Sequence, residues 1–84
     1  MKNLKAYVDQ KNRWDSIFGL PALEIGKDNQ KIADSIDSDL SPENLTCDGE
    51  LSRSQVQARY QQLTAAAREL IKLDPTVKFY EYAE

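Results

Sequence analysis

Leu51-Ser-Arg-Ser-Gln-Val-Gln-Ala-Arg-Tyr60-Gln-Gln-Leu-Thr-Ala-Ala-Ala-Arg-Glu-Leu70-Ile-Lys-Leu-Asp-Pro75 decides how this chain is built. Ser52 and Gln55 form an S-x-x-Q pair, in which hydroxyl and carboxamide each satisfy a backbone N–H that the first helical turn leaves orphaned. With Ser52 as N-cap, Leu51 and Val56 take the staple positions on either side of that turn. Val56, Tyr60, Leu63, Ala67, Leu70 and Ile71 follow at three- and four-residue steps and define one apolar stripe. Ala65–Ala67 add helix propensity and let a second helix come close. Asp74 precedes Pro75, which pushes it out of the helical region and ends the segment. A long helix over about 53–73 is the expectation.

Working back toward the N-terminus, the chain predicts two shorter helices. Leu4, Tyr7, Val8, Trp14 and Phe18 share a face over about 3–18, with Asp9/Arg13 and Lys11/Asp15 spaced for i,i+4 pairing. Lys11 lands in the middle of that apolar face. Either its stem lies along the core with the ammonium in water, or the helix begins later. Gly19 is a natural stop, with Pro21 two residues beyond. A helix over about 29–37 is suggested by Asp28 as N-cap and by Ile32, Ala33 and Ile36. Being short, it must draw its stability from packing. Ser41-Pro-Glu43 reads as one helical turn through Leu45. The tail from Thr76 to Tyr82 is rich in β-branched and aromatic residues and reads as a strand, with Val77 and Phe79 on one side and Tyr80 and Tyr82 on the other. Residues 21–25 are its one internal partner; otherwise it pairs across a dimer or lies extended on the helices. The fold class expected is mainly α, a small α+β domain spanning 1–84, with two to three packed helices, the long one at about 53–73, and a terminal β-strand at about 76–82.

Composition narrows function by exclusion. The chain has 84 residues, 40% apolar and 30% charged, with one cysteine and no histidine. The histidine count removes His-based catalysis, His metal sites and His pH switches together. Cys47 alone makes no intrachain disulfide, and Asp48 and Glu50 beside it raise a thiol pKa rather than activate it. No apolar run approaches the ~20 residues of a membrane span, and the N-terminal residues lack the apolar core of a signal peptide. No P-loop, G-x-S-x-G or G-x-G-x-x-G pattern occurs. The expectation is therefore not an enzyme, cytoplasmic, with no cofactor.

The net charge of −3 averages unlike regions. Residues 1–20 carry +2, residues 21–50 carry −6, and residues 51–84 carry +1. No basic residue lies between Asp34 and Glu50. Such a segment either solvates a connector or presents negative charge to a basic partner.

Within it, residues 44–55 resemble the twelve-residue calcium loop of an EF-hand. The ligand positions of that loop hold Asn44, Thr46, Asp48, Glu50, Ser52 and Gln55, and Gly49 stands where the loop turns sharply. The departures fall on the strongest ligands: Gln55 replaces the bidentate glutamate, and Asp48 is the one carboxylate at a usual side-chain position. The spacing therefore favours a metal-free turn into a capped helix, with a degenerate calcium loop as an alternative. Asp37, Asp39 and Glu43 form an oxygen cluster too unspecific for magnesium.

Residues 30–36 and 51–57 superficially suggest a helix-turn-helix, with Gln57, Gln61, Arg68 and Lys72 along one polar side. The connection between them is too long for that motif, and its acidity repels phosphate. A nucleic-acid-binding protein stays an alternative. The leading expectation is a non-enzymatic protein–protein interaction module, a small acidic regulator or inhibitor such as a phage or mobile-element accessory protein. Its partner surface is placed at Asp34, Asp37, Asp39, Glu43, Tyr80 and Tyr82, with a homodimer through the C-terminal strand as a second partner reading.

Overall fold

The computed structural model describes residues 2–46 and 51–79. Three helices follow one another: α1 (Lys2–Ile17), α2 (Asn29–Asp39) and α3 (Arg53–Leu73). No strand occurs among the described residues, and no helix among them is long and apolar enough to cross a membrane.

Helix α3 starts as its sequence dictates. The Ser52 hydroxyl accepts from the Gln55 N–H at 3.3 Å, while the Gln55 carboxamide oxygen accepts from the Ser52 N–H at 2.9 Å. At the other end Asp74 leaves the helical region with an extended backbone. Helix α1 ends in a Schellman motif. The Leu20 N–H reaches the Asp15 carbonyl (2.9 Å) and the Gly19 N–H reaches that of Ser16 (3.1 Å), with Gly19 at φ +73°, the left-handed conformation glycine adopts at least cost. Helix α2 begins differently from expectation. Asp28 occupies its N-cap position without a side-chain capping bond; its carboxylate turns back to accept from the Glu24 N–H at 2.9 Å. Residues 41–45 make the single turn expected of them, the Leu45 N–H bonding the Ser41 carbonyl at 3.1 Å.

Both shorter helices run against the direction of α3. Leu4 donates its backbone N–H to Glu69 near the end of α3, whereas Lys11 and Trp14 lie beside Arg59 near its start. Likewise Asn29 reaches Asp74 and Asp39 reaches Arg59. The core between them consists of Leu4, Tyr7 and Val8 from α1, Ile32, Ala33 and Ile36 from α2, and Leu63, Ala66 and Leu70 from α3, with Leu40 closing one side. Burying a large apolar side chain contributes roughly 1.5–3 kcal/mol, so this cluster carries most of the stability.

The apolar stripes differ from the sequence reading in register and in length. On α3 the buried line is Leu63, Ala66 and Leu70; Tyr60 and Ile71, expected in the stripe, are exposed. Ala66 fits because a methyl group lets α1 and α2 approach α3 together. On α1 the core takes only the first two turns, and Trp14 and Phe18, expected on the core face, are exposed. Lys11 keeps the half-buried position foreseen for a snorkelling stem, its ammonium 3.7 Å from Asp15. Asp9 pairs with Lys5 at 3.8 Å instead of Arg13.

The expected terminal strand is corrected over 76–79, and residues 80–82 lie outside the described residues. Its backbone pairs with a side chain instead. The Gln30 carboxamide donates to the Lys78 carbonyl (3.0 Å) and accepts from the Lys78 N–H (3.1 Å). Residues 21–25 are held in the same way: Asn12 donates to the Leu23 carbonyl (2.9 Å) and accepts from its N–H (2.8 Å). Each carboxamide supplies the donor and acceptor that a neighbouring strand would have supplied. Each segment thus lies along the helices, with Leu23, Ile25, Val77 and Phe79 packed on the core.

Candidate functional site

Polar links at the junction of the helices resemble a reactive constellation. The Tyr7 hydroxyl donates to Asp39 at 3.0 Å and lies 2.7 Å from the Ser35 hydroxyl; Asp39 also receives Arg59 at 3.5 Å. Burial, reinforced by the Asp39 carboxylate, pushes the Tyr7 phenol well above its ordinary value. It is therefore a fixed donor and a poor base. The Ser35 hydroxyl is bonded to the Tyr7 phenol, and Asp39 is occupied twice. This chain of bonds joins α1, α2 and α3 and holds them in register.

The acidic surface is divided by the fold. Asp37 is buried, at 5% exposed, and Asp39 is engaged by Tyr7 and Arg59. Asp34 and Glu43 are exposed, though Asp34 accepts a bond from Gln30 at 3.1 Å. Asp34 and Asp37 border a shallow hollow of about 220 Å³ closed by Lys78 and Phe79. Tyr80 and Tyr82 lie outside the described residues.

Of the calcium-loop positions, Asp48 and Glu50 also lie outside them. Asn44 is spent on the Ser38 carbonyl at 2.6 Å and the Ser41 hydroxyl at 3.0 Å, and the Gln55 oxygen is held by the capping box. No group of three His, Cys, Asp or Glu residues placed to hold a metal occurs among the described residues. Gln57, Gln61, Arg68 and Lys72 lie exposed on α3, with residues 40–52 separating α2 from α3.

A different surface stands out. Trp14, Ile17, Phe18 and Leu20 are 59%, 71%, 71% and 55% exposed, four large apolar side chains within seven positions. Two hollows flank Trp14. One, of about 260 Å³, is lined by Tyr7, Gln10, Lys11, Trp14, Asp39 and Arg59. The other, of about 310 Å³, is lined by Gln10, Arg13, Trp14 and Ile17. Gln10 and Trp14 border both, so the hollows form one surface over the second half of α1.

Periodicity alone places Trp14 and Phe18 in the core and so misses this surface. A usable signal is nevertheless present. Lys11 interrupts the apolar stripe one turn before Trp14, and Gly19 and Pro21 end the helix at Phe18. Compared with known proteins, the chain matches no family model, no curated protein and no solved structure.

Proposed function

We propose that this chain is a non-enzymatic protein–protein interaction module, a small regulator or inhibitor that works by occupying another protein. The observation that carries the reading is the cluster of Trp14, Ile17, Phe18 and Leu20, exposed while the core among the described residues forms without them. Exposed apolar side chains gathered in one place are costly for solubility and mark contact surfaces, and tryptophan is among the residues that dominate binding energy. Asp34 and Glu43, the exposed remainder of the acidic surface, line neither hollow beside Trp14 and serve as a control for charge away from the contact.

Affinity capture from the source cells tests this. The intact protein is compared with Trp14→Ser/Ile17→Ser and with Asp34→Lys/Glu43→Lys, each checked for unchanged helix content by circular dichroism. A partner held by the intact protein, lost with the first variant and kept by the second, supports the proposal. Failure of the intact protein to retain any partner overturns it.

A further inference from the structure

Resting on that reading, we infer that the surface around Trp14 receives an acidic amphipathic helix of a partner protein. Charge is the first reason. The two hollows are lined by Lys11, Arg13 and Arg59 against a single carboxylate, Asp39, in a chain whose net charge is −3. Helix α3 continues the same sign, with Arg53, Arg59 and Arg68 and no acid before Glu69. Among the described residues the Arg13 guanidinium has no ion-pair partner, and the contacts of Lys11 with Asp15 (3.7 Å) and Arg59 with Asp39 (3.5 Å) are long and partly exposed. All three cations are therefore open to carboxylates from outside.

Shape supplies the second reason. The surface is made by helices whose backbone groups are already bonded, so no sheet edge is offered to an extended peptide, and recognition must run through side chains. The hollows follow one another along α1, from Tyr7, Lys11 and Trp14 to Arg13, Trp14 and Ile17, about one helical turn apart. A partner helix presents apolar side chains at that same interval when they are three or four residues apart. Its carboxylates then flank the apolar row and meet Lys11, Arg13 and Arg59.

Other occupants fit less well. A second copy would bring this basic, apolar face against its own like charges. An anionic bilayer is flat and cannot enter two hollows set one helical turn apart along α1.

A selection from phage-displayed random peptides of about 16 residues, some four helical turns, tests the inference with the intact protein as bait. The expected pool is rich in Asp and Glu, with apolar pairs spaced three or four apart. A synthetic peptide from that pool loses about tenfold or more in affinity against Trp14→Ser and against Arg13→Glu, both variants retaining their helix content. Replacing its Glu by Lys restores binding to Arg13→Glu. A neutral or basic pool, peptides indifferent to both variants, or Trp14-dependent sedimentation with phosphatidylserine vesicles in place of peptide binding overturns the inference. None of these touches a partner already captured from cells, so the broader reading stands or falls separately.

Discussion

The two ends of the α1–α3 pair are built from the same helices and behave as different materials. Where Leu4, Tyr7 and Val8 face Leu63, Ala66 and Leu70, α2 lies across the seam and residues 77 and 79 pack against it, so the apolar groups that face the seam are covered while Ile71 and Leu73 point outward. Where residues 10–17 of α1 pass residues 53–62 of α3, no residue is buried and Trp14, Ile17 and Tyr60 stand in solvent. Propensity does not separate the ends, since both stretches are good helices with capped or stopped termini. The third layer does. Helix α2 has eleven residues, about 16 Å at the helical rise, and reaches only along part of the 21-residue α3. An amphipathic pair without its third element keeps a helical backbone and an open apolar face. One end holds the fold, and the other is the one we propose to meet a partner.

The sharpest way to break this comparison is to cut into both ends equally. Leu63→Ala or Ile36→Ala removes a fully buried side chain and is expected to cost about 2–5 kcal/mol, enough to unfold much of a domain this small. Trp14→Ala and Ile17→Ala, equally drastic in size, are expected to stay within about 0.5 kcal/mol. Urea unfolding followed by circular dichroism measures both. A Trp14 variant as damaging as the Leu63 one would erase the distinction.

Tyr7 ties the closed end to α2. Tyr7→Phe leaves the Ser35 hydroxyl and the Asp39 carboxylate without their partner and is expected to cost about 1–3 kcal/mol. The intact protein also carries an alkaline signature. The phenol titrates above its ordinary value near 10 in the folded state, so the unfolded chain releases this proton first. Its contribution is complete below pH 10 and is lost as pH rises beyond that. Unfolding midpoints measured across the alkaline range should fall in the native protein and lie flatter in Tyr7→Phe.

The carboxamide clamps come next. Gln30→Glu keeps the acceptor for the Lys78 N–H and removes the donor to its carbonyl, for an expected loss of about 1 kcal/mol. Amide exchange at Lys78 should accelerate while that at Leu63 holds. The same clamps show where sequence reading stops. The boundaries of α3 are legible because Ser52, Gln55 and Pro75 act on their own neighbours. The tail reads as a strand because Val77 and Phe79 have strand chemistry and alternate, and both do pack on the core. What replaces the ladder is a glutamine 48 positions away, a distance no local pattern crosses. The surface around Trp14 is hidden from the sequence for a related reason. Periodicity tells which residues share a face, and only the length of α2 tells how much of that face is covered. Of the residues assigned to partner binding, Asp37 fails as a surface group because it follows Ile36 and stands one turn beyond Ala33, and is buried with them on the inner face of α2.

The smallest expected effect is acidic. Glu69, held below its usual range by the Leu4 backbone N–H, and Asp74, held below it by Asn29 and then Thr76, are both ionised in the fold at pH values where the unfolded chain takes up protons. Their contribution is present above the ordinary carboxylate pKa and is lost as pH falls through their lowered values. A shallow decline of the unfolding midpoint in acid, reduced in Asp74→Asn, is the expected record.

One measurement bears most directly on the proposed division between a closed end that folds and an open end that binds. Trp14→Ser/Ile17→Ser is taken through urea unfolding and, in parallel, through partner capture. The account predicts an unfolding midpoint close to that of the native protein together with loss of the partner. An unfolded variant, or a folded one that keeps its partner, would contradict it.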